Sequence, residues 1–280
     1  GNQFLANIRE TDAIIHVLRC FENDNITHVD GSVNPVRDKE VIDAELQLKD
    51  LETIENRIDK FEKQARVGND PKAKKMFELA SKYKAVLEQG LSARTLKLSD
   101  EDAKAAREFF LLTNKPVMYV CNVDEASAKT GNKFPEMVKE AVKDENAELL
   151  VIAAATEADI AELETYEENQ LFLEELGLDE PGVNKLIHAA YHLLNLKTYF
   201  TTGADESRAW TFIQGTKAPQ AAGIIHSDFE RGFIRAEVIK YTDYVALGSE
   251  SACRNAGKIA IEGKEYVVHD CDIMHFRFNV

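Results

Sequence analysis

The sequence predicts an α/β protein with a helical hairpin set into it and a small α+β module at its C-terminal end. Three observations predict this class. Apolar strands alternate with amphipathic helices over residues 100–194, which favours a parallel sheet with helical crossovers. Between residues 37 and 99 two long helical stripes flank a single tight break. After Asn195 the texture changes to closely spaced short strands and turns.

Size and composition set the outer limits. At 280 residues and 44% apolar content, the chain can bury a substantial core in two or three domains. No apolar run approaches the ~20 residues that span a bilayer, and the polar first residues do not read as a signal peptide. A cytoplasmic protein without membrane contact is expected. The net charge of −15 argues against wrapping duplex nucleic acid non-specifically, and leaves room for a local basic face. The four cysteines (Cys20, Cys121, Cys253, Cys271) are widely spread and show no metal-ligand spacing, so reduced thiols are expected.

The elements follow in order. Residues 2–9 read as a short helix, and 13–21 as a near-continuous apolar strand, suited to a central position covered on both faces. His16 and His28 flank it and are read as structural histidines. Asn34-Pro35 marks a boundary. Over residues 38–66, Leu51, Ile54, Ile58, Phe61 and Ala65 form one stripe by alternating steps of three and four. The break at 68–71 supplies Asp70 as N-cap and Pro71 as first helical residue. A second stripe, Met76, Ala80, Tyr83, Leu87 and Leu91, completes an antiparallel hairpin. Lys60, Lys63, Arg66, Lys72, Lys74 and Lys75 gather near its tip, as a solvated face or as a contact for an acidic partner such as RNA.

Ser99 caps a helix expected to run to Leu112, and residues 116–121 form the next strand. A helix over 135–146, a strand over 148–154, one long helix from Thr156 to Leu176 and another over 181–194 follow. The last is expected to turn Val183, Leu186, Ile187, Ala190 and Leu194 inward. In the C-terminal module, strands are expected at 197–202, 208–214, 233–240, 264–269 and 274–280, with helices near 218–228 and 249–262.

Asn122-Val123-Asp124-Glu125 ends the strand at 116–121, where nucleotide triphosphatases carry a base-recognition loop. An ionised carboxylate accepts two hydrogens from one edge of guanine, and an Asn amide can serve a purine N7 while bracing the loop. Guanine-specific proteins use Asn-Lys-x-Asp. Here Val123 replaces the Lys and Glu125 the Asp, which weakens guanine selectivity. The phosphate-gripping G-x-x-x-x-G-K-[ST] occurs nowhere in the sequence.

With its surroundings the loop becomes specific. The order strand, Asn122-Val123-Asp124-Glu125, helix, then a strand ending AAATEAD at 153–159 resembles the YchF family of Obg-like, translation-related ATPases. So do GNQFL at 1–5, RCFEND at 19–24, VNP at 33–35, EELGL at 174–178 and LNLKTYF at 194–200. RAW at 208–210, APQAAG at 218–223, HSDF at 226–229, GFIRA at 232–236 and FNV at 278–280 extend the likeness over nearly the whole chain.

The resemblance implies a P-loop nucleotide-binding domain (1–36 and 100–194), an inserted helical hairpin (37–99) and a C-terminal TGS module of β-grasp type (196–280). It implies ATP preferred over GTP, Mg²⁺ in the intact protein, and a ribosome partner, with the large subunit or RNA as the contact. Carried over, Asn122 and Val123 would contact adenine, Glu125 would support the loop, and the backbone at Ala154 and Ala155 would close over the base. The family's P-loop, magnesium-binding threonine and second-switch aspartate precede the position equivalent to Gly1. The chain is therefore expected to be a fragment without catalytic residues or metal ligands of its own, with negligible hydrolysis and an aggregation-prone sheet edge. A monomer is expected.

Other residues have plainer readings. Trp210 is expected to pack in the module's core or on its sheet. Arg208, Arg231, Arg235 and Lys240 could form a modest basic face for rRNA or simply lie in water. His226 beside Asp228 is read as a helix-end cap, and His188 with His192 lacks a third metal ligand. The acidic run 162–168 is read as a solvated helix face. Two functions compete: an ATP-selective ATPase remnant, and a ribosome- or RNA-binding module acting through the hairpin tip and the TGS face.

Overall fold

The computed structural model describes residues 2–68, 70–145, 147–203 and 206–279, with all their side chains except those of 2–4 and 65–68. Gly1, Asn69, Asn146 and Val280 lie outside the described residues, as do the side chains of Ala65 and Arg66. Two compact units are present, Gly1–Leu193 and Leu194–Val280.

The first unit runs α1 (Asn2–Glu10), β1 (Ile14–Arg19), α2 (Pro35–Gly68), α3 (Pro71–Leu87), α4 (Asp100–Ala106), β2 (Val117–Asn122), α5 (Lys133–Val142), β3 (Glu148–Ile152), α6 (Ala154–Ala161), α7 (Tyr166–Leu176) and α8 (Gly182–Leu193). Its three strands are parallel in the order β1-β2-β3. Burial is nearly complete along β2, which among the described strands holds the central place expected for residues 13–21. Among the described strands β1 is at the border, with Ile15 44% and Val17 60% exposed on one face. An unbroken apolar run signals burial on two faces, but here only the face carrying Leu18 is packed.

The hairpin forms as the stripes require. Ile54, Met76, Leu79, Ala80, Tyr83 and Leu87 are buried between the helices, and Phe109 meets Tyr83 edge-on at 5.9 Å. Asp70 caps α3 by accepting the Lys72 N–H at 2.9 Å, with Pro71 next in line. Leu91 lies beyond the helix end and is exposed, contrary to its expected place on the stripe. The middle of α2 is tied to the approach to β2 by Asp50. This buried carboxylate accepts from Leu112 N, Thr113 N and Thr113 Oγ1, each at 2.7 Å.

Several boundaries differ from expectation. Ser99 caps α4 as read, but the helix stops at Ala106 and passes through a short 3-10 turn to Phe110, whose φ of 54° is left-handed. The single helix expected over 156–176 is two helices, because Thr165 and Glu168 form a reciprocal capping box that starts α7 anew. On α8, Val183 and Ile187 are exposed while Gly182 and Ala189 are buried. Leu186, Ala190 and Leu194 are half-buried, so the inward side passes through these and Ala189 and leaves Val183 and Ile187 in solvent.

The second unit runs β4 (Leu196–Thr202), β5 (Ser207–Ile213), α9 (Ala218–Ile225), α10 (Ser227–Arg231), β6 (Phe233–Lys240), α11 (Tyr241–Leu247), α12 (Glu250–Asn255), β7 (Ala260–Glu262) and β8 (Asp272–Phe278). The sheet order is β5-β4-β8-β6-β7, with β4 and β8 parallel and the other pairs antiparallel, which is the β-grasp arrangement. On one face Tyr199, Phe212, Met274 and Phe276 pack with Ala221 and Ala222 of α9. On the other, Phe200, Ile239 and Ile273 pack with Tyr244 and Cys253 of α11 and α12. Residues 264–269 form only an isolated bridge, Lys217 to Val267, in place of the expected strand. The expected helix over 249–262 ends at Asn255, and the sequence reading missed α11. His226 splits the expected helix over 218–228 by adopting extended backbone, φ −161°.

Candidate functional site

The parallel strands deliver their C-terminal ends to one side of the sheet, where open α/β folds bind ligands. Register aligns Arg19, Asn122 and Ile152 in one row. Just beyond them lie Cys20, the loop Val123–Glu125 and the segment Ala153–Ala155. The strand ends are stitched together by Cys20 N–H to Asn122 O at 2.7 Å and Val123 N–H to Ile152 O at 2.9 Å.

Asn122 links the loop to α6. Its Oδ1 accepts the Ala154 N–H at 3.0 Å. A helix start leaves its first N–H groups without intrahelical acceptors, and Ala153, at the N-cap of α6, brings no side-chain acceptor. Asn122 therefore caps α6 from a neighbouring strand. Fixing Oδ1 in this bond leaves the side-chain NH₂ as the donor available to a ligand.

Of the five residues expected around a base, the structure joins Asn122 directly to Ala154. Glu125 is exposed at the head of a short turn, and Ala154 and Ala155 are exposed on the first turn of α6. Val123 is 3% exposed and packs in the core with Leu18, Tyr119 and Phe134. It offers a ligand its main chain alone. Asp124 is committed to the turn, accepting the Ser127 N–H at 2.9 Å.

Sequence reasoning missed three supporting residues. Asn132 donates to Cys20 O at 2.8 Å and to Ser127 Oγ at 3.3 Å, while its Oδ1 caps α5 through Phe134 N–H at 2.9 Å. Its place before an apolar helix was the available signal. Arg19 gathers the carbonyls of Phe21, Asn23 and Ile26 at 3.2, 3.3 and 3.0 Å, and so shapes the loop after β1. Glu157 of α6 accepts from Gly182 N at 2.7 Å and Val183 N at 3.0 Å, which caps α8. Nothing local in the sequence marks these last two. Below α6, the buried Thr156 hydroxyl has no partner among the described residues and lines a void of about 20 Å³, room for one water.

An ionic cluster joins the hairpin base to the strand that carries the loop. Glu145 bonds Lys39 at 2.6 Å, Arg94 at 3.3 Å and the Tyr119 hydroxyl at 2.6 Å, and Lys39 also bonds Asp43 at 2.7 Å. Burial pushes the Glu145 carboxyl up, but the hydrogen bonds from Lys39 and Tyr119 outweigh it and hold the group below its ordinary value. Burial drives the Tyr119 hydroxyl well above its ordinary value, and Glu145 adds to that. His16, on the packed side of β1, is held below its ordinary value by burial.

The other singled-out residues fall mostly on their plainer readings. His28 Nε2 pairs with Asp38 at 2.9 Å, and its Nδ1 accepts the Asp30 N–H at 3.1 Å. His226 Nδ1 caps α10 through the Asp228 N–H at 3.2 Å. Trp210 packs against the core and donates to Thr201 Oγ1 at 2.9 Å. His192 finds Glu148 at 2.8 Å, a carboxylate the sequence reading had not placed beside it. The acids of 162–168 are exposed as read, with Glu168 in the capping box.

The basic residues are more dispersed than expected. Lys72 pairs with Glu108 at 3.1 Å, and Lys75 with Glu101 and Asp102 at 2.7 and 3.0 Å; Lys74 also sits on α3. Arg208 lies over the Trp210 ring at 4.2 Å, on the α9 side of the sheet. Arg231 pairs with Asp228 at the end of α10. Arg235 lies on the opposite face of the sheet from Trp210, directly across from Arg277.

Comparison with known proteins places these features in context. The YchF-GTPase_C family model, described as a protein of unknown function (DUF933), matches residues 196–279. The chain is 51% identical over 282 residues to the ribosome-binding ATPase YchF of Bacillus subtilis, covering 100% of this chain and 76% of that protein. It is 44% identical over 284 residues to Obg-like ATPase 1 of Rattus norvegicus, covering 100% of this chain and 71% of that one. Among solved structures, the Schizosaccharomyces pombe YchF GTPase superposes with a TM-score of 0.89 at 35% identity, over 99% of this chain and 75% of that chain.

Proposed function

The chain belongs to the YchF family, and on that premise we propose that it recognises a purine nucleotide, ATP in preference to GTP, at Asn122, Val123, Glu125, Ala154 and Ala155. The observation that carries this reading is the bond from Ala154 N–H to Asn122 Oδ1 at 3.0 Å. It leaves the Asn122 NH₂ to donate to a purine N7. Val123 supplies only main chain, since its side chain is buried. A main-chain carbonyl accepts from the exocyclic amine of adenine, whereas the O6 of guanine would meet it with lone pairs. Glu125 supports the loop, and Ala154 and Ala155 have no bulk to obstruct the ring.

The phosphates are a separate matter. No G-x-x-x-x-G-K-[ST] occurs in the sequence, so groups this chain does not contain would hold the triphosphate and Mg²⁺. The described residues offer Mg²⁺ no fitting site. Their one three-ligand cluster, His28, Asp30 and Asp38, is bridged by Arg37 at 3.3 and 3.1 Å from the two aspartates. When bound, Mg²⁺ neutralises charge on the β- and γ-phosphates. Base contacts alone give weak binding and negligible turnover.

We assign residues 1–36 and 100–194 to the nucleotide domain, 37–99 to the hairpin and 196–280 to a TGS module. The bacterial relative is named for ribosome binding, and we extend that partner to this chain as a cytoplasmic monomer meeting the large subunit. No described helix is long and apolar enough to cross a membrane. A second reading, an RNA-binding module indifferent to nucleotide, draws support from the exposed arginines of the C-terminal sheet. ATP and GTP turnover and ribosome co-sedimentation, measured for this chain and for a form extended by the family's glycine loop, separate the two. Turnover appearing only on extension supports the first reading. Ribosome binding by the unextended chain without nucleotide supports the second.

A further inference from the structure

His188 and His192 stand four apart on α8, a step that puts both imidazoles on one strip of the helix surface. Nothing near them in the sequence offers a third group, but the fold does. Both histidines are exposed and line an open hollow of about 420 Å³, whose other wall is the start of β3 at Glu148, Leu149 and Leu150. Across it His192 Nδ1 meets Glu148 Oε1 at 2.8 Å.

That contact decides which nitrogen is free. A carboxylate only accepts, so Nδ1 of His192 carries the ring proton and Nε2 keeps its lone pair. The His192 side chain is 79% exposed, which leaves Nε2 open to a ligand. A carboxylate behind an imidazole is the common outer support of a metal-binding histidine. It fixes the tautomer and ring orientation and makes the ligating nitrogen more basic. Glu148 has a second peculiarity. Its Oε2 is buried and has no hydrogen-bond partner among the described residues. A neutral imidazole answers only part of that charge, and a cation on the far side of the ring would balance the rest.

The donor set selects the ion. Imidazole nitrogens suit zinc, copper and nickel, whereas Mg²⁺ and Ca²⁺ prefer oxygen. Two histidines one helical turn apart chelate a single ion, as helical zinc sites do. Between them stand Ala189, Ala190 and Tyr191, so the general-base glutamate of H-E-x-x-H is not there. The site is suited to holding an ion, not to hydrolysis. The donors are not gathered at one point in the structure; His28, Asp30 and Asp38 are the converged group among the described residues, and Arg37 already pairs with both aspartates. His188 reaches the ion by turning about its side-chain bonds, which its exposure allows.

We propose that His188 and His192 bind one divalent ion of the zinc class through Nε2, with Glu148 as the positioning residue behind His192. Water fills the remaining coordination positions. The ion fastens the last turn of α8, which ends at Leu193, to the first residue of β3. The base-recognition loop takes no part, so this inference stands apart from nucleotide recognition.

The test uses the full chain without an affinity tag. ZnCl₂ binding is followed by isothermal titration calorimetry, and the imidazole nitrogens by ¹⁵N NMR. The parent should take up a single Zn²⁺, with the Nε2 resonances of His188 and His192 moving together. His188→Ala and His192→Ala should each weaken binding by about tenfold or more, because chelation is lost. Glu148→Ala should weaken it about ten- to a hundredfold, and Glu148→Gln, which keeps an acceptor for the Nδ1–H, should recover part of that loss. His28→Ala and replacement of the exposed thiol by Cys271→Ser should leave binding as in the parent, and Mg²⁺ should not compete. Equal melting temperatures in EDTA show that the variants fold. Zinc binding that survives both histidine variants, or is lost with His28→Ala or Cys271→Ser, puts the ion elsewhere and overturns the proposal. Loss with His192→Ala while His188→Ala binds like the parent also overturns it, since one histidine then carries the ion alone. So does a parent that takes up no zinc.

Discussion

Asn122 and Ala154, on different elements and thirty-two residues apart, are joined by a 3.0 Å bond from the Ala154 N–H to the Asn122 Oδ1. Removing it should have two separable effects. Asn122→Ala loses the cap on α6 and should cost about 1 kcal/mol in urea unfolding. Asn122→Asp keeps an acceptor and adds a charge suited to a helix N-terminus, so stability should hold. It replaces the NH₂ donor with an acceptor, however, and adenine binding should disappear, as followed by saturation-transfer NMR with ATP.

Val123 is where guanine-specific loops place a lysine. Because its side chain is packed with Tyr119 and Phe134, Val123→Lys would bury a charge and should destabilise the protein by about 3 kcal/mol. Affinity for GTP should not rise. Guanine preference cannot be installed here by one substitution, and thermal melts with a GTP titration check both parts.

Glu145 couples the hairpin base to β2. Its carboxyl is held below the ordinary 4.5 by the Lys39 and Tyr119 bonds, which outweigh burial. A depressed acid contributes stability above its unfolded value and loses it as pH falls through the folded value. Unfolding free energy should therefore decline as pH drops below 4.5, and Glu145→Gln should flatten that decline. Urea melts at a series of acid pH values measure it.

Cys271 occupies the turn into β8 with a left-handed φ of 61°. A side chain in that conformation costs about 1 kcal/mol, which glycine avoids. Cys271→Gly should raise stability by about that amount. Differential scanning calorimetry should show a higher melting temperature, with RNA and nucleotide binding unchanged.

Legibility of the chain varied with the range of the interactions. The hairpin was readable because stripes such as Ile54 and Met76 repeat at helical spacing and Asp70-Pro71 is a local start signal. The strand before Asn122 was equally plain. The break at Thr165 was present in the sequence as Thr-x-x-Glu, the start signal of a capping box. The border position of β1 could not be read, since burial of Ile15 and Val17 depends on what lies across the sheet. Arg19 gathers carbonyls of the loop that directly follows it, whereas Asn132 and Glu157 act on backbone groups brought near by folding, such as Cys20 O and Gly182 N. The same holds for the basic residues. Strand alternation places Arg208 and Arg235 on faces only once their register is known, and they proved to lie on opposite ones.

The most direct measurement is a ¹⁵N-resolved NMR titration of the chain with ATP and, separately, with GTP. ATP should shift the Asn122 side-chain NH₂ and the Ala154 and Ala155 amides first, while GTP at equal concentration moves them far less. Shifts centred on another region, or an equal or larger response to GTP, would contradict recognition of adenine at this loop.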